Sequence, residues 1–491
     1  MKHTLAFLTL AVASTLASAA STTFINPVGP ATKSSADPHV MRHTDGNYYF
    51  VHTSEDWASL EIAKSSSLSG VGAATPVKVW TAPAGPCTGN NCYSHWIWAP
   101  ELYHLQGAWH LYFAAGGDDN QHRVWVIRNT SADPTQGTWS APVKVSDSAN
   151  LWAIDQTLAT IDGQLYMAWS EISEASLRQH IRIAKMSSPT SIVGRGTVIT
   201  APTTYAWEHE KDGTGADAYV NEGPHFIVHG SKVIMSFSAS GCWTDDYKLG
   251  ILTANVGADL TVPSNWTKSA TPILQKAPGA YGPGHNSFVK SPDGTEDWVV
   301  YHANPASGQG CSNSRTTRIQ KVTWSGDTPV IGAPVAPGVP VTRPSGEGTA
   351  TILYRVRNQA SGKVLSVNRS ATSLGAPVWM WTDFGNTDQK WSIEPTTNGY
   401  TQLRSNYNGY VLDVFNWSTA AGAGLVTWSA TGGANQQWQL LSTPTQHFEV
   451  KNRHSGLMLD NQNGSTADGA VVQQWPANGQ TPERWLFERL N

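Results

Sequence analysis

Three acidic residues occupy matched places in a repeated unit of this sequence. Asp37 lies in SADPHV, Asp155 in AIDQTL and Glu222 in NEGPHF, and each precedes a turn glycine by eight or nine residues. Carboxylates gathered at one point repel one another, so at least one pKa rises and the set can divide into an acid and a base. The alternative is that all three are solvated turn residues, because Asp-Pro and Glu-Gly-Pro begin turns readily. The matched spacing favours chemistry.

The turn glycines define the repeat that positions these acids. They are Gly46, Gly107, Gly163, Gly230 and Gly294, at separations of 61, 56, 67 and 64 residues, and each lies between two short alternating strands. A period near 60 residues with several strands in each unit is typical of β-propeller blades. The pattern therefore predicts an all-β chain that begins with a five-bladed β-propeller.

In a propeller the innermost strand of each blade faces the central channel, so one position in each blade points to a common place. That position holds Asp37, Trp98, Asp155, Glu222 and His285. A carboxylic acid and a carboxylate on opposite sides of a sugar can cleave a glycosidic bond. In the inverting reaction they stand roughly 6.5 to 9.5 Å apart, with a water between. A third carboxylate can raise the pKa of the acid.

The motifs ADPHV, WAPEL, IDQT, NEGPH and GPGHNSF, in this order and spacing, resemble glycoside hydrolase family 43 over about residues 25 to 340. The resemblance implies a five-bladed propeller and an inverting enzyme. It assigns Asp37 as general base, Asp155 as pKa modulator and orienting residue, and Glu222 as general acid. Retaining five-bladed fructosidases are the nearest competing class, but their Asn-Asp-Pro-Asn and Arg-Asp-Pro motifs are absent.

The same resemblance suggests residues that bind substrate. Trp98 is predicted to stack on a sugar face, and Arg315 resembles an arginine that some members aim at a sugar hydroxyl, with Arg318 as the alternative. His285 matches a histidine that in many members faces a cation such as calcium through water. A structural calcium at the propeller centre is therefore expected, with no cofactor required for chemistry. Other tryptophans near the acidic motifs could stack or lie in the core: Trp96, Trp152, Trp207 and Trp243.

A second repeat follows a Pro/Gly-rich linker at 333–350. GKVLSV, GYVLDV and GLMLDN begin 47 residues apart, and QKW, QQW and ERW close the three units with the same period. Gln-x-Trp repeats of this length resemble the ricin-type β-trefoil lectin, or carbohydrate-binding module family 13, which implies a trefoil at 351–491. The closing tryptophans are predicted to be core residues.

The resemblance to the lectin also assigns sugar-binding residues in two of the three repeats. The predicted set is Asp413, Trp428 and Asn435 in the second repeat and Asp460, Gln473 and Trp475 in the third. The first repeat has Ser366 in place of the aspartate, with Asp388 and Lys390 in its closing motif, so its site is expected to be weak or lost. Glu483 and Arg484 replace the usual amides in the third repeat.

Composition limits the remaining possibilities. The net charge is -4 and no Lys/Arg cluster appears, which argues against nucleic acid as a partner. Residues 1–19 read as a signal peptide, with a propeller domain at 21–332, and no later run is apolar enough to span a membrane. Secretion and a monomer are expected. Export permits disulfides, and among three possible pairings Cys87 with Cys92 and Cys242 with Cys311 is favoured over a zinc site.

The segments WAPELY, SGCWTDDYKLG and TTRIQKVTW look most like secreted arabinan-degrading members. The predicted activity is that of an α-L-arabinofuranosidase, exo-acting on α-1,5-arabinan or arabinose-containing hemicellulose, with the trefoil targeting the polysaccharide. Alternatives on the same scaffold are a β-xylosidase, an endo-1,5-α-L-arabinanase or a β-1,3-galactanase. A non-catalytic double lectin is a further alternative.

Overall fold

The computed structural model describes residues 22–491 except 86, 88, 90, 119, 173–177 and 397–398. The predicted signal peptide lies outside the described residues. Apart from short 3-10 turns, the regular elements in this part of the chain are strands. None of its helices is long and apolar enough to cross a membrane. The 3-10 turns are Val71–Ala73, Ala206–Glu208, Pro263–Asn265, Thr387–Gln389, Phe415–Trp417, Ala434–Gln436, Gln462–Gly464 and Thr481–Glu483.

The first part of the chain forms five antiparallel sheets in sequence order, each a meander, and this confirms the five-bladed propeller. The strands of blade 1 are Ala36–Arg42, Tyr48–Thr53, Ser59–Ser65 and Val77–Thr81. Those of blade 2 are His95–Leu105, Ala108–Gly116, Arg123–Asn129 and Val143–Val145. Those of blade 3 are Ala153–Ile161, Gln164–Ile172, Gln179–Ser188, Ser191–Ile192 and Thr197–Thr200.

Blades 4 and 5 continue the pattern. The strands of blade 4 are Asn221–His229, Lys232–Ala239, Lys248–Asn255 and Thr267–Lys268. Those of blade 5 are Tyr281–Lys290, Asp297–Asn304, Thr316–Ser325 and Thr328–Val330. The five predicted turn glycines lie at the hairpins between first and second strands, with φ between 55° and 84°. Glycine suits this backbone because an L side chain is disfavoured there.

Apolar residues from adjacent blades interlock and hold the propeller closed. Tyr49 and Val51 of blade 1, for example, share a buried cluster with Leu111 and Phe113 of blade 2. Burial of apolar surface between sheets is the main driving force for such packing. The inner strands are thereby fixed around the channel, which gives the catalytic residues a rigid frame.

The second domain is a closed arrangement of antiparallel strands with threefold repetition, as expected for a trefoil. The closing tryptophans Trp391, Trp438 and Trp485 are fully buried. Each indole N–H donates to the backbone carbonyl of a leucine 26 residues earlier, at 2.9, 3.2 and 2.9 Å. The strands are Tyr354–Asn358, Val364–Val367, Ala376–Trp381, Trp391–Pro395, Thr401–Ser405, Val411–Val414, Leu425–Trp428, Trp438–Ser442, Phe448–Asn452, Met458–Asn461, Ala470–Trp475 and Arg484–Arg489.

The Pro/Gly-rich linker is packed against both domains rather than acting as a spacer. Its strand Pro340–Thr342 pairs antiparallel with Thr23–Ile25. Further along, the Glu347 carboxylate accepts hydrogen bonds from the backbone N–H of Ser69, at 2.7 Å, and from its hydroxyl. One apolar cluster also joins residues of the propeller to the trefoil core. The composition of the linker did not predict this pairing, because it depends on a strand more than 300 residues away in sequence.

Candidate active site

The inner strand of every blade breaks its pairing register where the sequence places a candidate site residue. A left-handed backbone marks each break, at Asp37, Ala99, Asp155, Gly223 and His285, with φ between 44° and 55°. A β-bulge bends a strand and turns a side chain toward a new direction. For the residues other than glycine this conformation costs about 1–2 kcal/mol. The fold therefore maintains local strain in order to direct these side chains.

The bulges bring all six sequence-predicted propeller residues to the wall of one cavity of about 390 Å³. Those residues are Asp37, Trp98, Asp155, Glu222, His285 and Arg315. The sequence did not single out Thr53, Trp57 and Gln179, which line the same cavity. The spacing of the glycines thus located the site, while half-hidden neighbours complete it.

Asp37 is held as an ionised carboxylate. Arg315 Nη1 lies 3.1 Å from its Oδ1, and the Thr53 hydroxyl donates to its Oδ2 at 2.7 Å. His285 Nδ1 and His302 Nδ1 lie 3.4 and 3.3 Å from Oδ1. Burial alone would raise the pKa of Asp37, but the Arg315 charge and then the two histidines outweigh it and hold this pKa well below its usual range. A carboxylate in this state can accept a proton from water.

Glu222 has the opposite tendency. Burial raises its pKa to about 7, aided by the charge of Asp37, although hydrogen bonds from Tyr247 and Gln179 oppose the rise. The Tyr247 hydroxyl donates to Oε1 at 2.8 Å and Gln179 Nε2 donates to Oε2 at 2.7 Å. These two donors also fix the direction of the carboxyl group. A carboxyl group that stays protonated near neutral pH can act as a general acid.

Asp155 lies beside both of the other acids. Its Oδ2 accepts the backbone N–H of Gly223 at 3.1 Å, directly after Glu222 in the chain. Burial raises the pKa of Asp155 well above its usual range, and the charges of Glu222 and Asp37 raise it further. Because Asp155 and Glu222 interact, their protons are released as a coupled pair. This position suits a residue that orients Glu222 and tunes its protonation.

Aromatic side chains form much of the remaining wall. Trp98 stacks on His122 with ring centroids 4.1 Å apart, and it faces the cavity as predicted. Trp152 and Trp243 also line the cavity, and Trp243 is 51% exposed. Trp57, which packs against a neighbouring tryptophan at 4.7 Å, was missed by sequence reasoning. Flat apolar faces of this kind can stack on a sugar ring.

The remaining predicted residues divide between site and core. Trp96 is the tryptophan that supports Trp57, whereas Trp207 packs on Phe237 at 6.0 Å beneath blade 4. Arg315 lies in the cavity, and Arg318 is fully buried with the pKa of its guanidinium lowered to about 10 by burial. The geometry thus distinguishes the two arginines, which sequence alone could not do.

The two disulfides join Cys87 to Cys92 and Cys242 to Cys311. These are the favoured pairs from the sequence. The second bridge lies in the wall of the cavity and ties a loop after blade 4's second strand to a loop before Arg315. It therefore fixes the segment that carries Trp243 next to the site.

One buried group below the acids, His39, Glu101 and His225, has ligand atoms within 4.8 Å of one another among the described residues. In both histidines Nδ1 accepts a backbone N–H at 3.3 Å, from Leu102 and from Phe288. A neutral imidazole with an accepting Nδ1 carries its proton on Nε2, which then cannot ligate a metal. Calcium also prefers oxygen ligands. This group therefore does not fit direct calcium coordination, and the histidines instead connect neighbouring blades.

The trefoil presents its predicted residues in two repeats. In the second, a cavity of about 230 Å³ is lined by Asp413, Trp428 and Asn435, with Asn435 Nδ2 donating to Asp413 at 2.9 Å. In the third, Gln473 Nε2 donates to Asp460 at 2.7 Å. The third repeat's Trp475 is 40% exposed beside this pair in sequence register. A buried aspartate next to an exposed tryptophan suits a shallow sugar site.

Comparison with known proteins relates both domains to families. The model described as glycosyl hydrolases family 43 matches residues 24–329. The model described as ricin-type beta-trefoil lectin domain-like matches residues 343–428 and 434–491. Both matches agree with the architecture above.

Individual relatives resemble the propeller region. An extracellular exo-alpha-(1->5)-L-arabinofuranosidase from Streptomyces avermitilis is 37% identical over 334 residues, which are 66% of this chain and 66% of that protein. The chain thus spans slightly less than two thirds of that relative. A protein of the same name from Streptomyces chartreusis is 34% identical over 281 residues, 56% of this chain and 81% of the relative. The crystal structure of an alpha-L-arabinofuranosidase from Lactobacillus brevis is 31% identical, with a TM-score of 0.57, and covers 64% of this chain and 97% of that one.

Proposed function

Since the chain belongs to glycosyl hydrolases family 43, we propose that it is an inverting α-L-arabinofuranosidase that releases arabinose from α-1,5-arabinan or arabinose-containing hemicellulose. One observation carries the reaction type: Asp37 and Glu222 share a cavity but have pKa values displaced in opposite directions. This is the division into base and acid that glycoside hydrolysis needs. The names of the relatives support the choice of arabinose.

In the proposed reaction, Glu222 donates its proton to the oxygen of the leaving sugar. Asp37 removes a proton from the water that attacks the anomeric carbon from the opposite face, which inverts the configuration. Asp155 keeps the Glu222 carboxyl group oriented and its pKa high. Arg315 keeps Asp37 ionised, and the surrounding tryptophans, Trp98 among them, stack on the sugar.

The test of the activity is the product profile on linear α-1,5-arabinan, with xylo-oligosaccharides and β-1,3-galactan in parallel and the anomer followed by proton NMR. Arabinose released alone as the β-anomer is the expected result. A ladder of oligomers would instead identify an endo-arabinanase, and activity confined to xylan or galactan would refute the assignment to arabinose.

The role of the acid is tested with Glu222→Gln, for which turnover should fall by orders of magnitude because the proton donor is lost. The matched control is Glu210→Gln, since Glu210 forms an ion pair with Lys248 at 2.9 Å and does not line the cavity. Unchanged turnover in Glu222→Gln would support the alternative of a double lectin without catalysis.

The proposal extends to the setting in which the enzyme works. The trefoil would hold the enzyme on polysaccharide and raise its local concentration there. Secretion is supported by the word extracellular in the names of two relatives and by the two disulfides. A monomer and a water-bound calcium near His285 stay predictions, to be tested by light scattering and by activity before and after chelation and calcium addition.

A further inference from the structure

The first trefoil repeat, which lacks the usual aspartate, nevertheless has a cavity of about 300 Å³. This is larger than the cavity of about 230 Å³ in the second repeat. Trp379 and Trp381 line it with ring centroids 5.2 Å apart, and Phe384 at its edge is 65% exposed. The aromatic platform of a sugar site is therefore present in this repeat.

The carboxylate of the first repeat has exchanged places with its partner. In the second repeat Asp413 lies on a strand and receives a hydrogen bond from Asn435, 22 residues later. In the first repeat the strand carries Ser366, whose hydroxyl donates at 2.7 Å to Asp388, also 22 residues later. Asp388 is only 4% exposed. A buried carboxylate is thus kept in this cavity, but it is supplied by the 3-10 turn Thr387–Gln389.

The exchanged carboxylate holds an arginine. Arg369 Nε donates to Asp388 Oδ1 at 2.6 Å, while the arginine side chain is 54% exposed and lines the cavity. At the matched positions 47 residues apart, the other repeats have Asn416 and Asn463. Both oxygens of Asp388 already receive a donor, so this acid is less available to sugar hydroxyls than Asp413. The ion pair uses Nε and leaves the terminal guanidinium nitrogens for a ligand.

We propose that the first-repeat cavity binds an acidic sugar, a uronate residue of a polysaccharide, rather than a neutral one. The uronate carboxylate pairs with the terminal nitrogens of Arg369, a geometry in which guanidinium is favoured over a point charge. The sugar ring stacks on Trp381. The inference rests on the sugar binding proposed for the trefoil, but it does not depend on the reaction at the propeller.

The experiment is calorimetric titration of the full chain with trigalacturonate and with its methyl ester, at low and at raised salt. We expect the acid form to bind at least tenfold more tightly than the ester, and the difference to shrink with salt because the contact is partly exposed. The variant Arg369→Asn, which installs the residue of the other repeats, should weaken trigalacturonate binding about tenfold, the equivalent of 1.4 kcal/mol. Its thermal midpoint checks that it is folded.

The matched control is the double variant Asp413→Asn with Asp460→Asn, which should keep its affinity for trigalacturonate while losing neutral arabino-oligosaccharide binding at the trefoil. Equal binding of acid and ester, or unchanged binding by Arg369→Asn, would overturn the inference. So would loss of trigalacturonate binding in the double variant alone. If the trefoil of the unmodified protein binds neutral sugars but not trigalacturonate, the uronate site fails while the proposed targeting function survives.

Discussion

Replacing Tyr247 by phenylalanine should extend activity to higher pH. The Tyr247 hydroxyl donates to Glu222 Oε1 at 2.8 Å, and the tyrosine is 1% exposed. Its ring stacks on His302 with the planes 5° apart, so a phenylalanine ring can keep the same packing. The substitution Tyr247→Phe therefore removes one hydrogen bond and little else. Gln179 still orients the acid through Oε2.

The size and sign of the effect follow from that bond. A hydrogen bond to a charged group contributes about 1.5–3 kcal/mol, and the protonated acid keeps part of it. A difference of about 1.4 kcal/mol between the two forms corresponds to one pH unit. Because the bond favours the ionised form, its loss raises the already elevated pKa of Glu222. The protonated form is the active one, so the alkaline limb should move up by about one pH unit.

The assay is the pH dependence of kcat/KM on arabinotriose, a substrate whose leaving group needs the acid. The acidic limb should stay where it is, since it reports the depressed pKa of Asp37. Tyr219→Phe is the matched control, because that hydroxyl donates to Asp217, an exposed residue outside the cavity. An alkaline limb that does not move, or that moves down, would refute the assignment of Glu222 as the acid held by Tyr247.

Other substitutions test different parts of the site. Thr53→Val removes the donor to Asp37 at 2.7 Å and should lower kcat by about ten- to a hundredfold; an unchanged kcat would show that the base needs no such orientation. Trp57→Ala should raise KM more than it lowers kcat, and the opposite split would remove it from substrate binding. Cys242→Ala with Cys311→Ala should lower the free energy of unfolding by about 2–4 kcal/mol in denaturant titration, whereas equal stability would argue against the bridge.

The sequence by itself determined the architecture and the acids. Turn glycines near a 60-residue period and tryptophans at a 47-residue period record which side chains repeat, and repetition follows directly from the order of residues. The same counting located Asp37, Asp155 and Glu222, because one inner strand per blade faces the channel. These inferences need only local turn chemistry and strand alternation.

Tertiary structure alone decided how the acids are tuned. Thr53, Gln179 and Tyr247 reach the carboxylates from other strands, and no spacing rule marks them because their contacts depend on how the bulged strands bend. Bulges are not visible in a periodic pattern, and a pKa depends on burial and on charges brought together by the closed ring. The exchange of Ser366 and Asp388 is similar: the sequence shows a missing aspartate, and only the folded repeat returns a carboxylate to the cavity.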